Sequence, residues 1–193
     1  DINLYGFVRG DANYIIKGAD YDFNSAHTSK EEASDKLRAT AKVTRLGLDF
    51  NTPVGDNKVG GKVEVDFASL DNAKSENLRI RHAYLNYNQW LIGQTWSNFA
   101  VPDYMPETID ALGYVGGAVK RIPQVRYSYT ILPSSQLIIA AEDPKDSTVQ
   151  ARLPALTARW NQKIGDDLNM SLRTMAHETR IESDEEWSWG MGL

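Results

Sequence analysis

The residues of this sequence with the clearest chemical potential are cations that recur at alternate positions of extended segments. A guanidinium group binds a carboxylate through two parallel hydrogen bonds, so a row of arginines on one face can recognise small organic anions. Nine cations fall on the polar face of these segments: Arg9, Arg45, Lys62, Arg79, Arg81, Arg126, Arg159, Lys163 and Arg173. The acids on the same face are Asp11, Asp49, Glu64 and Asp66, although the whole chain has 21 Lys and Arg against 26 Asp and Glu. The sequence has therefore collected positive charge on one face, and its remaining acids fall mostly in predicted loops, for example at Glu142-Asp143.

The other reactive residue types are too dispersed to predict catalysis or metal binding. The histidines, His27, His82 and His177, have no partner four residues away, and the chain has no cysteine. His177 stands beside Glu178, but neighbouring strand residues point to opposite faces of a sheet, so the two cannot converge without a kink. We therefore predict no metal, no cofactor and no enzymatic activity. A net charge of −5 also argues against a nucleic-acid partner.

Alternation of apolar and polar residues with a period of two predicts that the elements are β-strands. The clearest example sets Val125, Tyr127, Tyr129 and Ile131 against Gln124, Arg126, Ser128 and Thr130. Segments 78–88 and 90–96 alternate less strictly. Around Lys42 and Thr44 the alternation changes phase, which a β-bulge would repair. A helical period fits no segment comparably, so we predict an all-β fold.

The connections between these strands alternate in length. The long ones are residues 18–35, 70–77, 97–123, 142–154 and 178–186, and the short ones are 51–58, 88–89, 132–135 and 165–167. A meander with tight turns at one end and long loops at the other is typical of a transmembrane antiparallel β-barrel of the outer membrane. In such a barrel the apolar face contacts lipid, and the arginine-bearing face lines a water-filled lumen. Two alternatives stay open: a barrel enzyme of the outer membrane (a protease or a phospholipase), and a soluble antiparallel β-barrel binding protein.

The segment 97–123 is the longest predicted connection, and a loop of this length in a compact domain usually has a function. It carries the acids Asp103, Glu107 and Asp110 and ends with Lys120-Arg121. When such a loop folds into the lumen, its acids face the arginines of the wall, and the resulting transverse field filters solutes by charge. We therefore predict an inward-folded constriction loop within one domain that covers residues 1–193.

Several collinear motifs resemble those of a known porin subfamily. They are Arg79-Ile80-Arg81-His82-Ala83-Tyr84, Trp90-Leu91-Ile92-Gly93-Gln94-Thr95-Trp96-Ser97-Asn98-Phe99, Pro106-Glu107-Thr108-Ile109-Asp110 and Arg121-Ile122-Pro123-Gln124-Val125-Arg126-Tyr127, with weaker support from Leu4-Tyr5-Gly6-Phe7-Val8-Arg9. Together these motifs, which cover about residues 78–130, resemble the DcaP-like porins of the bacterial outer membrane. The resemblance implies a sixteen-stranded barrel in outer-membrane lipid, a homotrimer, and a diffusion channel that favours small anionic solutes such as dicarboxylates.

The sequence departs from that pattern in its length. It holds nine predicted strands and the start of a tenth at 187–193. At about ten residues per strand plus connections, sixteen strands do not fit. We therefore expect the chain to be a portion of a longer protein, the alternative being a ten-stranded barrel whose lumen is filled by side chains.

The predicted pore-lining residues follow from the charge pattern and the loop. They are Arg79, Arg81 and Arg126 at the constriction, Arg45, Lys62, Arg121, Arg159 and Arg173 along the wall, and Asp103, Glu107 and Asp110 on the loop that faces it.

Overall fold

The computed structural model describes residues 1–20, 32–69, 77–100, 102–104, 119–144, 151–181 and 184–193. These residues form β-strands and one short 3-10 helix, so the all-β prediction is confirmed. The strands are β1 (Ile2–Phe7), β2 (Asp11–Ala19), β3 (Glu32–Thr40), β4 (Arg45–Val54), β5 (Asn57–Asp66), β6 (Arg79–Tyr87), β7 (Trp90–Trp96), β8 (Arg121–Leu132), β9 (Ser135–Glu142), β10 (Ala155–Ile164), β11 (Leu168–Ile181) and β12 (Asp184–Gly192), and the 3-10 helix covers Pro102–Tyr104. No helix among the described residues is long and apolar enough to cross a membrane.

The described strands pair in two antiparallel sheets. Ten of them follow the order β1-β4-β5-β6-β7-β8-β9-β10-β11-β12, and β2 pairs with β3 separately. From β4 onward each strand in the large sheet pairs with the next strand of the chain, as in a meander. Strands β1 and β12 end the order, and within the described residues no pairing joins them.

The chain divides into two compact units. The described residues of the first unit lie in Asp1–Phe50 and Lys62–Arg81, and the second unit consists of Asn51–Gly61, His82–Tyr104 and Ala118–Leu193. Strands β4, β5 and β6 therefore have residues in both units. The single domain over residues 1–193 stays a prediction.

Four tight turns connect consecutive strands at the positions of the predicted short connections. They are residues 55–56, 88–89, 133–134 and 165–167. Gly55 and Gly165 have φ angles of 60° and 66° in these turns. Glycine adopts this left-handed region without a steric penalty because it has no Cβ.

Several predicted loop boundaries are wrong, among them 18–35 and 97–123, whose last residues belong to β3 and β8. The connection predicted at 178–186 is mostly strand, because β11 continues to Ile181 and β12 begins at Asp184. The acids of 184–186 have low β-propensity, but Arg180 lies opposite Glu185 in the register, and opposite charges across strands stabilise pairing. Glu142 was predicted to lie in a loop, and it is the last residue of β9.

The change of phase near Lys42 has a structural cause. Between β3 and β4 the chain makes a turn in which the Thr44 amide donates to the Ala41 carbonyl oxygen at 3.0 Å. The Lys42 carbonyl oxygen accepts a hydrogen bond from the Phe67 amide, also at 3.0 Å. The sequence predicted a β-bulge here. A turn between two strands has the same effect, because it resets which residues face each side of the sheet.

Ion pairs fasten the end of the β2–β3 hairpin. Arg38 donates from Nε and Nη2 to the Asp20 carboxylate at 2.8 and 2.7 Å, and Lys36 Nζ donates to it at 2.6 Å. These hydrogen bonds, first from Arg38 and then from Lys36, hold the pKa of Asp20 well below its usual range. The carboxylate therefore keeps both partners under mildly acidic conditions.

The first unit exposes its apolar side chains and buries charged ones. Leu4 on β1 and Val63 on β5 expose 77% and 52% of their area, whereas Glu64 and Asp66 on β5 expose 5% and 1%. A soluble antiparallel sheet buries its apolar face and turns its polar face to water. The first unit has the reverse arrangement, which a strand in contact with lipid requires.

The second unit has the same inverted arrangement. Exposed large apolar side chains include Ile92, Val125, Tyr129, Ile139, Leu156 and Trp189. Buried polar side chains include His82, Thr95, Gln124, Glu142, Thr157, Ser171 and Arg173. The alternation predicted for β8 is among these patterns, since Val125 and Tyr129 are exposed and Gln124 is buried. The arginine-bearing parity of the strands is thus the one turned away from the apolar surface.

We predict that replacing Gly47 by alanine will destabilise the first unit. The Tyr5 ring lies over Gly47, its register partner, and a Cβ there would overlap the ring. Overpacking of this kind costs about 1–3 kcal/mol. Urea unfolding of the purified protein in detergent, followed by tryptophan fluorescence, should give a lower midpoint for Gly47→Ala.

The matched control for this change is Gly10→Ala. A Cβ at Gly10 meets nothing within 4 Å, so its unfolding midpoint should equal that of the parent protein. Equal midpoints for both variants would contradict the tight placement of Tyr5.

Candidate functional site

The first unit contains a cluster of three arginines around two buried carboxylates on β5. Arg79 donates from Nε to Asp66 Oδ1 at 2.8 Å and from Nη2 to Asp66 Oδ2 at 2.6 Å. Arg81 donates from Nε to Glu64 Oε1 at 2.6 Å and from Nη1 to Asp66 Oδ2 at 3.2 Å. Arg45 Nε lies 3.5 Å from Glu64 Oε1. These five residues, with Tyr5, form what we call the arginine–carboxylate cluster.

Tyr5 completes the donor set of the cluster. Its hydroxyl donates to Glu64 Oε2 at 2.7 Å, and the absence of a side chain at Gly47 gives its ring the space to reach this position. Lys62 lies next to it, with Nζ 5.1 Å from the centre of the Tyr5 ring. Three guanidinium groups face two carboxylates, so the cluster carries one excess positive charge. The predicted residues Arg45, Lys62, Arg79 and Arg81 are therefore brought together.

Arg126 on β8 is placed differently from these paired arginines. Its register partners are Leu91 on β7 and Ala140 on β9, which are small or apolar. Within the described residues no hydrogen bond or ion pair engages its guanidinium, and Glu142 and Tyr84 lie near enough to interact with it electrostatically. A part-buried guanidinium with free donors is suited to binding a carboxylate that arrives from solution.

Arg121, the first residue of β8, packs against an aromatic ring. Its guanidinium carbon lies 4.6 Å from the centre of the Trp96 ring, which is a cation–π contact. Trp96 in turn packs edge-on to His82, whose Nδ1 lies 3.0 Å from Thr95 Oγ1. Within the described residues no three His, Cys, Asp or Glu side chains lie close enough to hold a metal ion.

Arg159 on β10 and Arg173 on β11 bind the chain that follows β7. Arg159 Nη1 donates to the Ala100 carbonyl oxygen at 2.8 Å, and Arg173 Nη1 donates to the Phe99 carbonyl oxygen at 2.9 Å. The loop therefore begins by crossing the polar face of the sheet in the second unit. Both arginines were predicted as residues of the pore wall, and this stays a prediction. In the structure one N–H group of each donates to this loop, and Arg173 Nη2 also donates to the Leu193 carbonyl oxygen at 3.2 Å.

A polar cavity of about 660 Å³ lies in the second unit beside these contacts. Its lining includes Asp103 from the 3-10 helix together with Arg159 and Lys163 from β10. The remaining lining is rich in uncharged polar groups, among them Asn161, Asn169 and Ser171. The volume is in the range that takes a small organic molecule. An acid of the predicted constriction loop and cations of the wall thus line one space, while Glu107 and Asp110 lie outside the described residues.

The comparisons with known proteins agree with this geometry. The family described as DcaP outer membrane protein matches residues 1–193. The chain belongs to this family. It is therefore an outer-membrane protein, and the resemblance that the motifs indicated is confirmed.

One solved structure similar to this DcaP family member is the crystal structure of the outer membrane channel DcaP of Acinetobacter baumannii. The two share 51% sequence identity with a TM-score of 0.88. The match covers 99% of this chain and 57% of that chain, so the sequence spans somewhat more than half the length of that channel. No curated protein matches the chain.

The sequence pattern did not predict the partners of three buried acids, Glu64, Asp66 and Glu142. Glu64 and Asp66 were counted only as acids on the polar face, and Glu142 was assigned to a loop. The spacing could have predicted the partners of the first two. Glu64 and Asp66 lie two residues apart on β5, Arg79 and Arg81 lie two residues apart on β6, and opposite charges on neighbouring strands pair across a sheet. Glu142 has the parity of the buried residues Ile138 and Ala140, which marks it as part of β9.

We predict that Asp66→Asn will lower the stability of the protein. The amide keeps the shape of the side chain but removes the charge that faces Arg79 and Arg81, leaving two guanidinium groups undercompensated. Breaking a fully buried ion pair costs 3–5 kcal/mol, and about 2 kcal/mol is expected here because Arg79 is 27% exposed. Urea unfolding in detergent measures the difference.

The control is the same substitution on the neighbouring strand, Asp49→Asn. Asp49 accepts one long hydrogen bond, 3.4 Å from Asn3 Nδ2 at an exposed position. Its replacement should shift the midpoint little. Equal losses in the two variants would show that the arginine–carboxylate cluster contributes no special stability.

Proposed function

We propose that the protein is a porin: a passive diffusion channel of the bacterial outer membrane that favours small anionic solutes such as dicarboxylates. Its pore wall carries Arg79, Arg81 and Arg126, extended by Arg45, Lys62 and Arg121. The observation that carries the proposal is the inverted arrangement, in which apolar side chains are exposed and the arginine-bearing parity of the strands is turned away from them.

The physical basis of anion preference is recovery of the hydration that a carboxylate loses in a narrow passage. A guanidinium group replaces part of that hydration with two charge-assisted hydrogen bonds. Arg126 contributes most in this proposal, because no described residue occupies its donors. Arg79 and Arg81 contribute field strength and their remaining N–H groups, since each already binds a carboxylate.

The constriction in this proposal is formed by the loop that follows β7. Asp103 supplies the negative side, together with Glu107 and Asp110, and Arg159 and Lys163 supply positive charge across the polar cavity. The shared lining of that cavity by Asp103 and the two β10 cations supports this arrangement. A solute with charge at both ends would be oriented by the transverse field as it passes.

The proposed assembly is a homotrimer of sixteen-stranded barrels embedded in outer-membrane lipid. A chain with ten strands in its large sheet, within the described residues, would supply the greater part of one barrel. This length also agrees with the 57% of the solved channel that the chain covers.

We predict that Arg126→Ala will weaken anion selectivity in planar bilayers. The loss of one available guanidinium should reduce the chloride-to-potassium permeability ratio about fivefold, which corresponds to roughly 1 kcal/mol. The combined change of Arg79, Arg81 and Arg126 to alanine should reduce it further. The reversal potential under a salt gradient, with chloride and then with succinate as the anion, measures the effect.

The control for loss of one positive charge is Lys58→Ala, since this lysine is exposed on β5 and its side chain has no partner among the described residues. Its reversal potential should equal that of the parent. Unchanged reversal potentials in the triple variant would reject the cationic wall, and absence of any current would reject the channel.

A further inference from the structure

The first four residues after β7, Ser97 to Ala100, are bonded to the sheet one after another. Ser97 Oγ donates to Glu142 Oε2 at 2.8 Å, and the backbone N–H of Asn98 donates to Glu142 Oε1 at 2.6 Å. The carbonyl oxygens of Phe99 and Ala100 accept from Arg173 and Arg159. We call Ser97 to Ala100 the loop base. Each of its four residues makes at least one hydrogen bond with a side chain of β9, β10 or β11.

Glu142 holds one side of the loop base. It exposes 3% of its area, and a buried carboxylate is stable only when donors surround it. Two of its three donors among the described residues, Ser97 Oγ and the backbone N–H of Asn98, belong to the loop base. The third is Thr157 Oγ1 from β10 at 3.2 Å. Without the loop base, the carboxylate would lose most of the hydrogen bonds that compensate its burial.

Arg159 and Arg173 hold the other side, and their own placement requires the loop. The two residues are direct partners in the β10–β11 register, and like charges directly opposite each other destabilise a sheet. The consecutive carbonyl oxygens of Phe99 and Ala100 offset this repulsion by accepting one hydrogen bond from each. Gly192 on β12 leaves room for the Arg173 guanidinium, since a Cβ there would lie 3.1 Å from Nη2.

We propose that Glu142, Arg159 and Arg173 are positioning residues that fasten the loop base to the polar face, and that the two arginines bind the loop directly and act on a solute only through their charge. The carbonyl oxygens of the loop base accept hydrogen bonds from the two arginines, as the oxygens of a bound anion would. This proposal rests on the proposed function in one respect: the loop held in this way is taken to narrow the channel. Anion selectivity then depends on Arg126 and the arginine–carboxylate cluster, and channel width depends on Glu142, Arg159 and Arg173.

The test uses a single cysteine at Ala100, which is possible because the chain has no native cysteine. Ala100 exposes 1% of its area, so Ala100→Cys in the purified protein should react slowly with a water-soluble methanethiosulfonate reagent. Adding Glu142→Gln should raise the labelling rate about tenfold, because the loop base then opens locally more often. Ser97→Ala removes a single donor, and it should raise the rate by a smaller factor in a protein that still folds.

The matched control is Glu178→Gln. Glu178 exposes 1% of its area and accepts the backbone amides of Arg152 and Leu153, so it fastens a different segment with the same chemistry. Its amide variant should leave the labelling of Cys at position 100 unchanged. Equal acceleration by Glu142→Gln and Glu178→Gln would indicate general loosening of the sheet and would overturn the proposal.

Arginine variants test the second half of the proposal. Arg159→Ala should accelerate labelling, and Arg159→Lys should restore most of the protection because an ammonium group can still donate to the Ala100 carbonyl oxygen. In bilayers Arg159→Ala should increase conductance and current noise while changing the permeability ratio less than Arg126→Ala does. A larger selectivity loss from Arg159→Ala than from Arg126→Ala would assign Arg159 to the solute and contradict us.

The labelling rate is measured without current, so the two proposals fail separately. Acceleration by Glu142→Gln and Ser97→Ala in a protein that carries no anion-selective current would keep the loop attachment and reject the channel. Anion-selective current with an unchanged labelling rate in both variants would support the channel and reject the loop attachment.

Discussion

A polar or charged side chain can be kept from bulk water only where its neighbours replace the hydrogen bonds that water would make. This constraint governs the protein, because its described strands expose many large apolar side chains and its buried side chains are largely polar or charged. Asp66 is compensated by Arg79, Arg81 and the Ala68 amide. Glu142 and Glu178 are compensated by backbone amides and hydroxyls that belong partly to loops. The burial of these acids therefore depends both on the pairing of neighbouring strands and on the attachment of the loops.

The arginines of the polar face divide into groups with different partners. Arg79 and Arg81 bind carboxylates of the neighbouring strand, and Arg159 and Arg173 bind carbonyl oxygens of the loop base. Arg126 has neither kind of partner among the described residues. A count of positive charges on the wall overstates the number of sites open to a solute. What an arginine contributes to transport depends on what its guanidinium already binds.

The sequence predicted the tight turns and most strand positions, because they depend on local pattern and turn chemistry. It predicted nine strands and the start of a tenth, whereas the described residues form twelve, since residues 3–17 contribute to both β1 and β2 and a turn separates β3 from β4. It predicted correctly that Arg79 and Arg81 share the polar face, since strand parity alone decides that. It could not predict that Arg173 reaches Phe99, because the two residues are 74 positions apart and no local rule relates them. Segment 78–88 alternated weakly because Ile80 and Leu85, five positions apart, are both exposed, which a strict period of two forbids.

Strict alternation also affects the chain before it folds. The described strands intersperse exposed apolar side chains with polar ones, as where Gln124 precedes Val125 and Arg126 follows it, and the mean hydropathy of the chain is −0.46. The longest uninterrupted apolar run, Leu137 to Ala141, has five residues, against the ~20 that a spanning helix needs. An amphiphilic surface appears only once neighbouring strands pair and separate the two kinds of side chain onto opposite faces. The apolar surface of this protein is therefore a product of strand pairing and is absent from any single strand on its own.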